Sequence, residues 1–476
     1  MRSILSNQRI LIIVYLLAIV LTFLVKENCF FWDTVQFGSI HPHFYLENNF
    51  SSFFLPESMD SGHPPTFGIY IALVWKIFGK TLAVSHFAML PFLMGIIFYL
   101  NLLGKYFFKN SLFLSAFVLL HVFDPCLAGH AAFVSPDILV VLFFLMSFYG
   151  ILNQKKIHLL IGVLGLCLMS TRGMMTVAAL FIFDFINYIW IEKNKVSFLN
   201  LFYKTLPYAL GGILGICFLI SHYYHTGWIG YHENSPWSPS FDKMDATGVI
   251  KNILVLGWRL LDFGRVFLWL VLFFISFKIF RKKIKFDQKS WQLMVLLILL
   301  VIFLMPPMVI HKMLSGHRYL FPIILIFNSL VLYFIFKYSE TRPLRKVLFL
   351  IAFLGLSLGN FWVYPRQIAQ NWDTTLAVQP YFELRKKMLQ FIDDNKIPVE
   401  AIGSTFPNIQ SFKFLDLTED KRKFSEKNFQ QQEYIYYSNV FNDFTDEEIE
   451  ALETDWIVLK SFERMNIEVV LYKKGE

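Results

Sequence analysis

Charged residues are scarce in this chain of 476 residues. They make up 16% of the sequence, whereas hydrophobic residues make up 56%, and the mean hydropathy is +0.51. A soluble globular protein seldom carries so little charge, because its surface needs polar groups. The composition therefore argues against an ordinary soluble enzyme and indicates a membrane protein.

Cysteine is also rare, and no nucleotide motif is present. The four cysteines are widely spaced, with no CxxC or CxxH pair, and they are Cys29, Cys126, Cys167 and Cys217. We interpret them as small buried hydrophobic residues, with a Cys29–Cys126 disulfide on the outer side as the alternative. The sequence has neither a Walker A loop nor a GxGxxG motif after a strand, so it shows no recognisable nucleotide site.

Charge is unevenly placed along the chain. Residues 1–365 hold 29 Lys and Arg against 15 Asp and Glu, whereas residues 366–476 hold 14 against 20. The basic excess belongs to the apolar part, so it does not indicate a nucleic-acid partner. We predict a transmembrane region over 1–365 and a small soluble α/β domain over 366–476, where strand-like runs and charged helical stretches alternate.

Eleven apolar segments are candidates for membrane-spanning helices. They lie near 10–26, 82–104, 111–124, 136–152, 157–170, 174–191, 205–222, 262–280, 290–305, 319–337 and 345–364. No small-residue cleavage site follows the first segment, so we expect an uncleaved anchor. The shorter stretch 66–79 is predicted to be an interfacial helix with Trp75 and Lys76 facing the lipid headgroups.

Alternate threading of these spans places the basic clusters on one side of the membrane. The clusters are Arg2 and Arg9, Lys105 and Lys109, Lys155 and Lys156, Lys193, Lys195 and Lys204, and the basic residues of 281–289 and 337–346. The positive-inside rule then predicts a multi-pass protein of the inner or plasma membrane, with a cytoplasmic N-terminus and an extracytoplasmic C-terminal domain. The long, aromatic-rich loops fall on the outer side, which we predict to be the working surface.

Two outer-side acids are candidates for chemistry. Asp33 follows Phe30-Phe31-Trp32 just beyond the first span. It is interpreted either as a general base in an aromatic pocket or as an ordinary loop acid or helix N-cap. Asp137, in Ser135-Pro136-Asp137, opens the fourth span. It would either cap that helix or orient a hydroxyl and assist proton transfer.

Outer-side arginines are candidates for binding phosphate. Arg172 and Arg318 each lie at the start of a span, where a positive charge opposes the general charge bias. Arginine can grip a phosphate through two parallel hydrogen bonds, although a snorkelling side chain is the simpler alternative. Arg259, Asp262 and Arg265 are spaced three apart, which favours mutual ion pairing on one helix.

Histidines on the outer side raise the alternative of a metal site. His222 and His225 are spaced i, i+3, and His232-Glu233 follows. This spacing is looser than that of HExxH, so the sequence predicts no metal site and leaves these residues as the one place where a metal would be sought.

Five short motifs, taken in order, resemble those of the GT-C membrane glycosyltransferases, specifically the protein mannosyltransferase/aminoarabinose transferase superfamily. They are Trp32-Asp33, Gly62-His63-Pro64-Pro65, Ser135-Pro136-Asp137, Thr171-Arg172-Gly173 and His317-Arg318-Tyr319-Leu320-Phe321-Pro322. The resemblance implies a polytopic helical fold of the GT-C type with about eleven spans. A small external C-terminal α/β domain also fits that architecture.

The resemblance also implies roles for these residues. Asp33 would deprotonate an acceptor hydroxyl, which attacks the anomeric carbon of a polyprenyl-phosphate-linked sugar and inverts it. Arg172 and Arg318 would stabilise the departing lipid phosphate, and His63 would bind it as a protonated or neutral donor. Because a single phosphate leaves, neither a cofactor nor a divalent metal is required. The acceptor would be a lipid, a protein or a glycan.

The sequence departs from the family motifs at two positions, and two alternative functions are open. Many relatives have lysine where this chain has His63, and protein mannosyltransferases often have Asp-Glu where this chain has Asp33-Thr34. One alternative function is a flippase or exporter of lipid-linked glycans, for which pseudo-symmetric halves would be expected. The other is a membrane-anchored binding protein that acts through its tail and leaves Asp33 without a role.

Overall fold

The protein is a bundle of helices followed by a small sheet. This computed structural model describes residues 2–194, 197–230, 232–233, 237–312 and 314–475, without the side chains of residues 2–6. Lys195 and the side chain of Arg2, which belong to the predicted basic clusters, therefore lie outside the described part.

Residues 2–359 form α-helices joined by loops. The helices are α1 (Arg2–Val25), α2 (His41–Glu47), α3 (Thr66–Phe78), α4 (Leu82–Phe107), α5 (Ser111–Val122), α6 (Pro125–Ala131), α7 (Pro136–Leu152), α8 (Lys156–Met169), α9 (Thr171–Ile186), α10 (Phe198–Thr226), α11 (Ala246–Leu261), α12 (Arg265–Arg281), α13 (Gln288–Ile310), α14 (Phe321–Tyr338) and α15 (Arg342–Gly359). Each predicted apolar segment coincides with one of these helices, which confirms the polytopic helical class.

Not every helix is long enough to cross a bilayer alone. In the described part of the chain, six helices are long and apolar enough, or up to eight if each of two bent pairs forms one span. The pairs are α5 with α6, bent by 63°, and α11 with α12, bent by 85°. Helices α3, α7 and α8 are apolar but shorter.

The bend between α11 and α12 depends on glycine. Gly264 adopts a φ of 80°, and a Cβ there would lie 1.9 Å from the carbonyl oxygen of Gly355. Only a residue without a side chain permits this conformation and this approach of α15. The sequence did not predict α11, because it begins inside the stretch assigned to an outer loop.

Three of the loops that carry predicted basic clusters meet at one end of the bundle, which we call the basic end. Lys289 Nζ donates to the carbonyl oxygen of Phe107 at 3.2 Å. Lys282 Nζ pairs with Glu340 Oε1 at 2.6 Å. These contacts join the loops after α4, α12 and α14, whereas the candidate site residues lie at the opposite end.

The C-terminal region is a five-stranded mixed sheet with three α-helices. Its elements are α16 (Gln379–Asp394), β1 (Ile402–Ser404), α17 (Phe412–Leu415), β2 (Ser425–Glu426), β3 (Tyr434–Ser438), α18 (Asp446–Thr454), β4 (Trp456–Arg464) and β5 (Ile467–Lys474). The strand order is β2-β1-β3-β5-β4, with β1 parallel to β2 and β3 and β5 antiparallel to β3 and β4. A small α/β fold at this end of the chain is thereby confirmed.

This C-terminal region packs on the loop that follows α1. The backbone N–H of Phe30 donates to the carbonyl oxygen of Leu415 at 2.9 Å. Ser39 Oγ donates to the carbonyl oxygen of Phe414 at 2.6 Å. The buried ring of Phe31 lies 5.5 Å from that of Tyr381, between centroids. The loop that carries Asp33 is therefore braced by the C-terminal chain.

The prediction of small buried cysteines is confirmed for Cys29, Cys126 and Cys167 but is wrong for Cys217, which is exposed. All four are free, so the alternative of a Cys29–Cys126 disulfide is excluded. The expectation for Trp75 is also wrong. Trp75 is buried rather than at the headgroups, because its indole N–H donates to Ser85 Oγ at 2.8 Å. Its neighbour Lys76 is exposed, as expected.

Candidate active site

Asp33 lies in a tight turn between α1 and α2. Its backbone carbonyl accepts hydrogen bonds from the N–H groups of Gln36 at 3.1 Å and Phe37 at 3.0 Å. Thr34 Oγ1 closes the turn by donating to the carbonyl oxygen of Phe31 at 2.6 Å. The Asp33 carboxylate, 23% exposed, faces away from this turn and pairs with Arg318.

Arg318 links Asp33 to a second carboxylate. It lies on the helical turn His317–Leu320 before α14. Its Nη2 donates to Asp33 and to the hydroxyl of Tyr319 at 3.0 Å, while Nη1 donates to Asp373 Oδ2 at 3.2 Å. Asp373 was not predicted from the sequence, although Trp372-Asp373 repeats the Trp-Asp pair of the first loop.

Arg172 forms a second ion pair beside the first. It opens α9, whose N-cap is Ser170, and its Nη2 lies 3.2 Å from Asp137 Oδ1. Asp137 is buried in the first turn of α7, where the N-cap is Ser135 and not Asp137. The guanidinium of Arg172 lies 4.1 Å from the ring centroid of Tyr319. Arg172 therefore faces the cavity rather than snorkelling to the membrane surface.

His63 lies against these groups as a neutral side chain. Its Nδ1 is 3.2 Å from Thr171 Oγ1, and its ring stacks on Phe37 with centroids 6.4 Å apart. Burial, assisted by the nearby charge of Arg172, lowers the pKa of His63 to about 4. At neutral pH the imidazole is thus an uncharged hydrogen-bonding group. It does not supply the positive charge that a lysine at this position would have.

The five residues that the sequence singled out line one cavity. Asp33, His63, Asp137, Arg172 and Arg318 border a narrow space of about 30 Å³, which we call the polar slot because all five carry ionisable groups. A wider cavity of about 240 Å³ adjoins it and shares three of these side chains. Its remaining wall is largely apolar and includes Met175, Trp237, Phe241, Leu304 and Met308. A polar slot for a charged group thus opens directly into an apolar space.

The histidines considered for a metal point to different partners. His222 Nε2 is 2.9 Å from Asp60 Oδ2, the ring of His225 stacks on Phe54 at 4.8 Å, and His232 Nδ1 is 2.7 Å from Glu57 Oε1. Among the residues that the structure describes, no group of three or more His, Cys, Asp or Glu side chains is arranged to hold a metal ion.

Of the ion pairs predicted among Arg259, Asp262 and Arg265, only one is present. Arg259 Nη1 pairs with Asp262 Oδ2 at 3.1 Å. Arg265 Nη2 instead reaches Asp124 Oδ1 at 2.7 Å, with both side chains buried. Asp262 Oδ2 also lies 3.3 Å from Nε2 of His317, the residue before Arg318. This buried network therefore underlies the turn that carries Arg318.

Comparison with known proteins supports the fold. No protein-family model matches the sequence, and no curated protein matches it. The structure is similar to the crystal structure of ArnT from Cupriavidus metallidurans bound to undecaprenyl phosphate, with a TM-score of 0.56. The two chains are 10% identical, and the match covers 97% of each. The chain therefore has the ArnT-like GT-C fold of a polytopic membrane protein.

Proposed function

We propose that the protein is an integral-membrane glycosyltransferase that moves a sugar from a polyprenyl-phosphate donor to an acceptor hydroxyl. The observation that carries the proposal is the junction of the two cavities. Two carboxylates, those of Asp33 and Asp137, and two guanidinium groups border the polar slot. The adjoining space is walled by apolar side chains of α9 and α13. Such a pair of spaces suits a phosphate joined to a hydrocarbon chain.

The donor phosphate would bind at the two arginines. Arg318 already donates hydrogen bonds to Asp33 and Asp373. An incoming phosphate would therefore displace Asp33 as the acceptor of one of the guanidinium N–H groups. The guanidinium groups of Arg172 and Arg318 lie 4.1 Å and 5.0 Å from the centroid of the Tyr319 ring, so both are close to the same point of the site. Charge-assisted hydrogen bonds from the two arginines would stabilise the phosphate as it leaves.

Asp33 would be the general base. Once the phosphate replaces it on Arg318, its carboxylate is released to accept the proton of an acceptor hydroxyl. The hydroxyl oxygen then forms a bond to the anomeric carbon, and the bond from that carbon to the phosphate oxygen breaks with its electron pair. The products are the glycosylated acceptor with inverted configuration and the polyprenyl phosphate. Binding of the donor phosphate to Arg318 would thereby free the Asp33 carboxylate to act as the base.

His63 and Asp137 would assist this reaction without entering it. Neutral His63 would give the phosphate a hydrogen bond, and Asp137 would hold Arg172 in place through their 3.2 Å pair. The proposed chemistry uses only side chains of this chain and needs no metal ion. The acceptor is a lipid, protein or glycan hydroxyl on the predicted extracytoplasmic side, and the structural likeness to an undecaprenyl-phosphate-bound ArnT supports the donor class.

The test uses the full-length protein in lipid nanodiscs with radiolabelled polyprenyl-phosphate sugars. We expect sugar transfer to a membrane-lipid or glycan acceptor, release of polyprenyl phosphate, and an inverted anomeric centre by NMR. Asp33→Asn should slow transfer by at least about 100-fold, whereas Asp455→Asn, at an exposed acid of the C-terminal region, should leave the rate unchanged. Transport of the donor across the bilayer without transfer to any acceptor would overturn the proposal in favour of a flippase.

A further inference from the structure

A second polar pocket lies at the basic end, far from the candidate active site. It is formed where α7 ends, α8 begins, α9 ends and α10 begins. Asp137 and Arg172 open α7 and α9 at the other end of the same helices. Because α7 has 17 residues, the two sites are separated by about 25 Å, close to the thickness of the hydrocarbon layer.

The floor of this pocket is a buried ion pair. Asp184 is fully buried, and its Oδ1 lies 2.5 Å from Lys204 Nζ. Its Oδ2 accepts a hydrogen bond from the hydroxyl of Tyr208 at 3.1 Å. Lys204 keeps 18% of its side chain exposed towards the pocket. Both oxygens of the Asp184 carboxylate thus have a partner within the protein, and part of the Lys204 side chain borders the pocket.

The mouth of the pocket presents further donors. Lys156 is exposed, with its Nζ 5.0 Å from the ring centroid of Tyr203. Gln154 and Asn200 line the same opening, and one N–H of the Asn200 amide also donates to the hydroxyl of Tyr188 at 3.3 Å. With Lys204 balanced by Asp184, Lys156 leaves the pocket with one uncompensated positive charge. One phosphodiester would neutralise it.

Large apolar side chains are exposed on the same helix ends that form the pocket. Trp190 is 74% exposed and Phe198 is 85% exposed, and Ile157 and Phe202 are also exposed. Exposed aromatic and aliphatic residues next to lysines are typical of the interface between lipid headgroups and acyl chains. The pocket therefore opens where a headgroup would lie above its own hydrocarbon chains.

We propose that this pocket binds the headgroup phosphate of an anionic phospholipid. Its volume, about 260 Å³, accommodates a phosphate with a small alcohol. Lys156 and the two amides supply the donors. Of the described residues that line the pocket, Asp184 is the one carboxylate, and it is buried against Lys204. An amine-bearing headgroup would therefore find no accessible anion, which favours a headgroup with net negative charge. This site is independent of the glycosyltransferase proposal.

Native mass spectrometry of the full-length protein, extracted from nanodiscs of phosphatidylglycerol or phosphatidylcholine, tests the inference. We expect retained phosphatidylglycerol but not phosphatidylcholine on the wild type. Lys156→Gln should reduce retention about tenfold, by loss of a charge-assisted hydrogen bond, and Asn200→Ala should reduce it less. Both variants leave the Asp184–Lys204 pair intact. Lys109→Gln, at an exposed lysine of the same end, is the matched control.

The outcomes separate the sources of phosphate. Equal retention by Lys156→Gln, Asn200→Ala and the control would overturn the assignment. Displacement of the lipid by millimolar inorganic phosphate would overturn it in favour of a site for free phosphate. Retention of phosphatidylcholine equal to that of phosphatidylglycerol would show that charge does not select the ligand.

Discussion

The carboxylate of Asp33 accepts a hydrogen bond from the guanidinium of Arg318. The proposed base and the proposed phosphate ligand are therefore partners before any substrate arrives. Because the guanidinium occupies the carboxylate oxygen that would take the proton, this pair would keep the site inactive until a phosphate competes for the arginine.

Asp33→Asn should separate binding from chemistry. Loss of the base is expected to lower kcat about 10²- to 10⁴-fold. The same change removes the competitor for Arg318, so polyprenyl phosphate should bind at least as tightly as to the wild type. Titration of the purified variant with polyprenyl phosphate, beside the rate assay, measures both. Weaker binding would instead mean that Asp33 contacts the donor.

Asp373 is expected to position Arg318. Asp373→Ala removes the acceptor of Nη1 and lets the guanidinium rotate, so kcat should fall about tenfold, with little change in the donor KM. Asp373→Asn keeps an oxygen at that position and should restore most of the rate. Equal losses in both variants would show that the charge of Asp373, and not its geometry, is what the site requires.

A double-mutant cycle should reveal whether Asp137 acts through Arg172. Arg172→Gln is expected to raise the donor KM by about tenfold or more, because one charge-assisted contact to phosphate is lost. Asp137→Asn should have a smaller effect, and the double variant should match Arg172→Gln. Additive losses, or a fall in kcat specific to Asp137→Asn, would give Asp137 a role of its own in proton transfer.

His63 should act without carrying charge. Since the pKa of His63 is lowered to about 4, donor affinity is expected to show no titration of this residue between pH 5.5 and pH 8. His63→Gln retains a neutral donor and should bind polyprenyl phosphate within a few-fold of the wild type, whereas His63→Ala should not. An affinity that rises on acidification through pH 6.5 in the wild type but not in His63→Gln would contradict this.

The lowered pKa of His63 also makes the stability of the folded protein depend on pH. Unfolded histidine takes up a proton near pH 6.5, whereas folded His63 does so only near pH 4. The unfolded state therefore binds more protons in this interval, and the stability contributed by neutral His63 is lost as the pH falls from about 6.5 to 4. Thermal unfolding of His63→Gln should be less sensitive to pH over that range than that of the wild type.

The Arg265–Asp124 pair is expected to be essential for the bundle. Both side chains are about 1% exposed, so Arg265→Met leaves a buried carboxylate unpaired and should cost about 3–5 kcal/mol. Lys282→Met breaks the exposed pair with Glu340 and should cost at most about 1 kcal/mol. Melting temperatures in detergent compare the two. Similar losses would mean that Asp124 is adequately held by Asn328, which donates to its Oδ2 at 2.9 Å.

The side of the membrane on which each loop lies explains why much of the candidate site was predictable. Asp33, Asp137, Arg172 and Arg318 each lie just beside a span, and the positions of basic loops placed them at one end of the bundle. They meet in one cavity because the ends of packed helices are close together. In a membrane protein, candidate residues at the ends of spans lie at one of only two surfaces. A soluble protein offers no such restriction.

Partners that depend on tertiary structure were not predictable. Helix periodicity relates Asp262 to Arg265, yet the bend at Gly264 turns Arg265 towards Asp124, far away in sequence. Asp373 comes from a segment assigned to the soluble domain, and nothing local shows that this segment folds back against α6. Gly129 permits that contact, since a Cβ there would lie 2.5 Å from the backbone of Thr374.

The hydrogen bonds from Phe30 to Leu415 and from Ser39 to Phe414 also bear on synthesis. The loop that holds Asp33 is made nearly 400 residues before the segment that braces it. A nascent chain would hold its helical spans in the bilayer with this loop unbraced until that segment has been made. A chain that stops before Phe414 would therefore enter the membrane without fixing the position of Asp33.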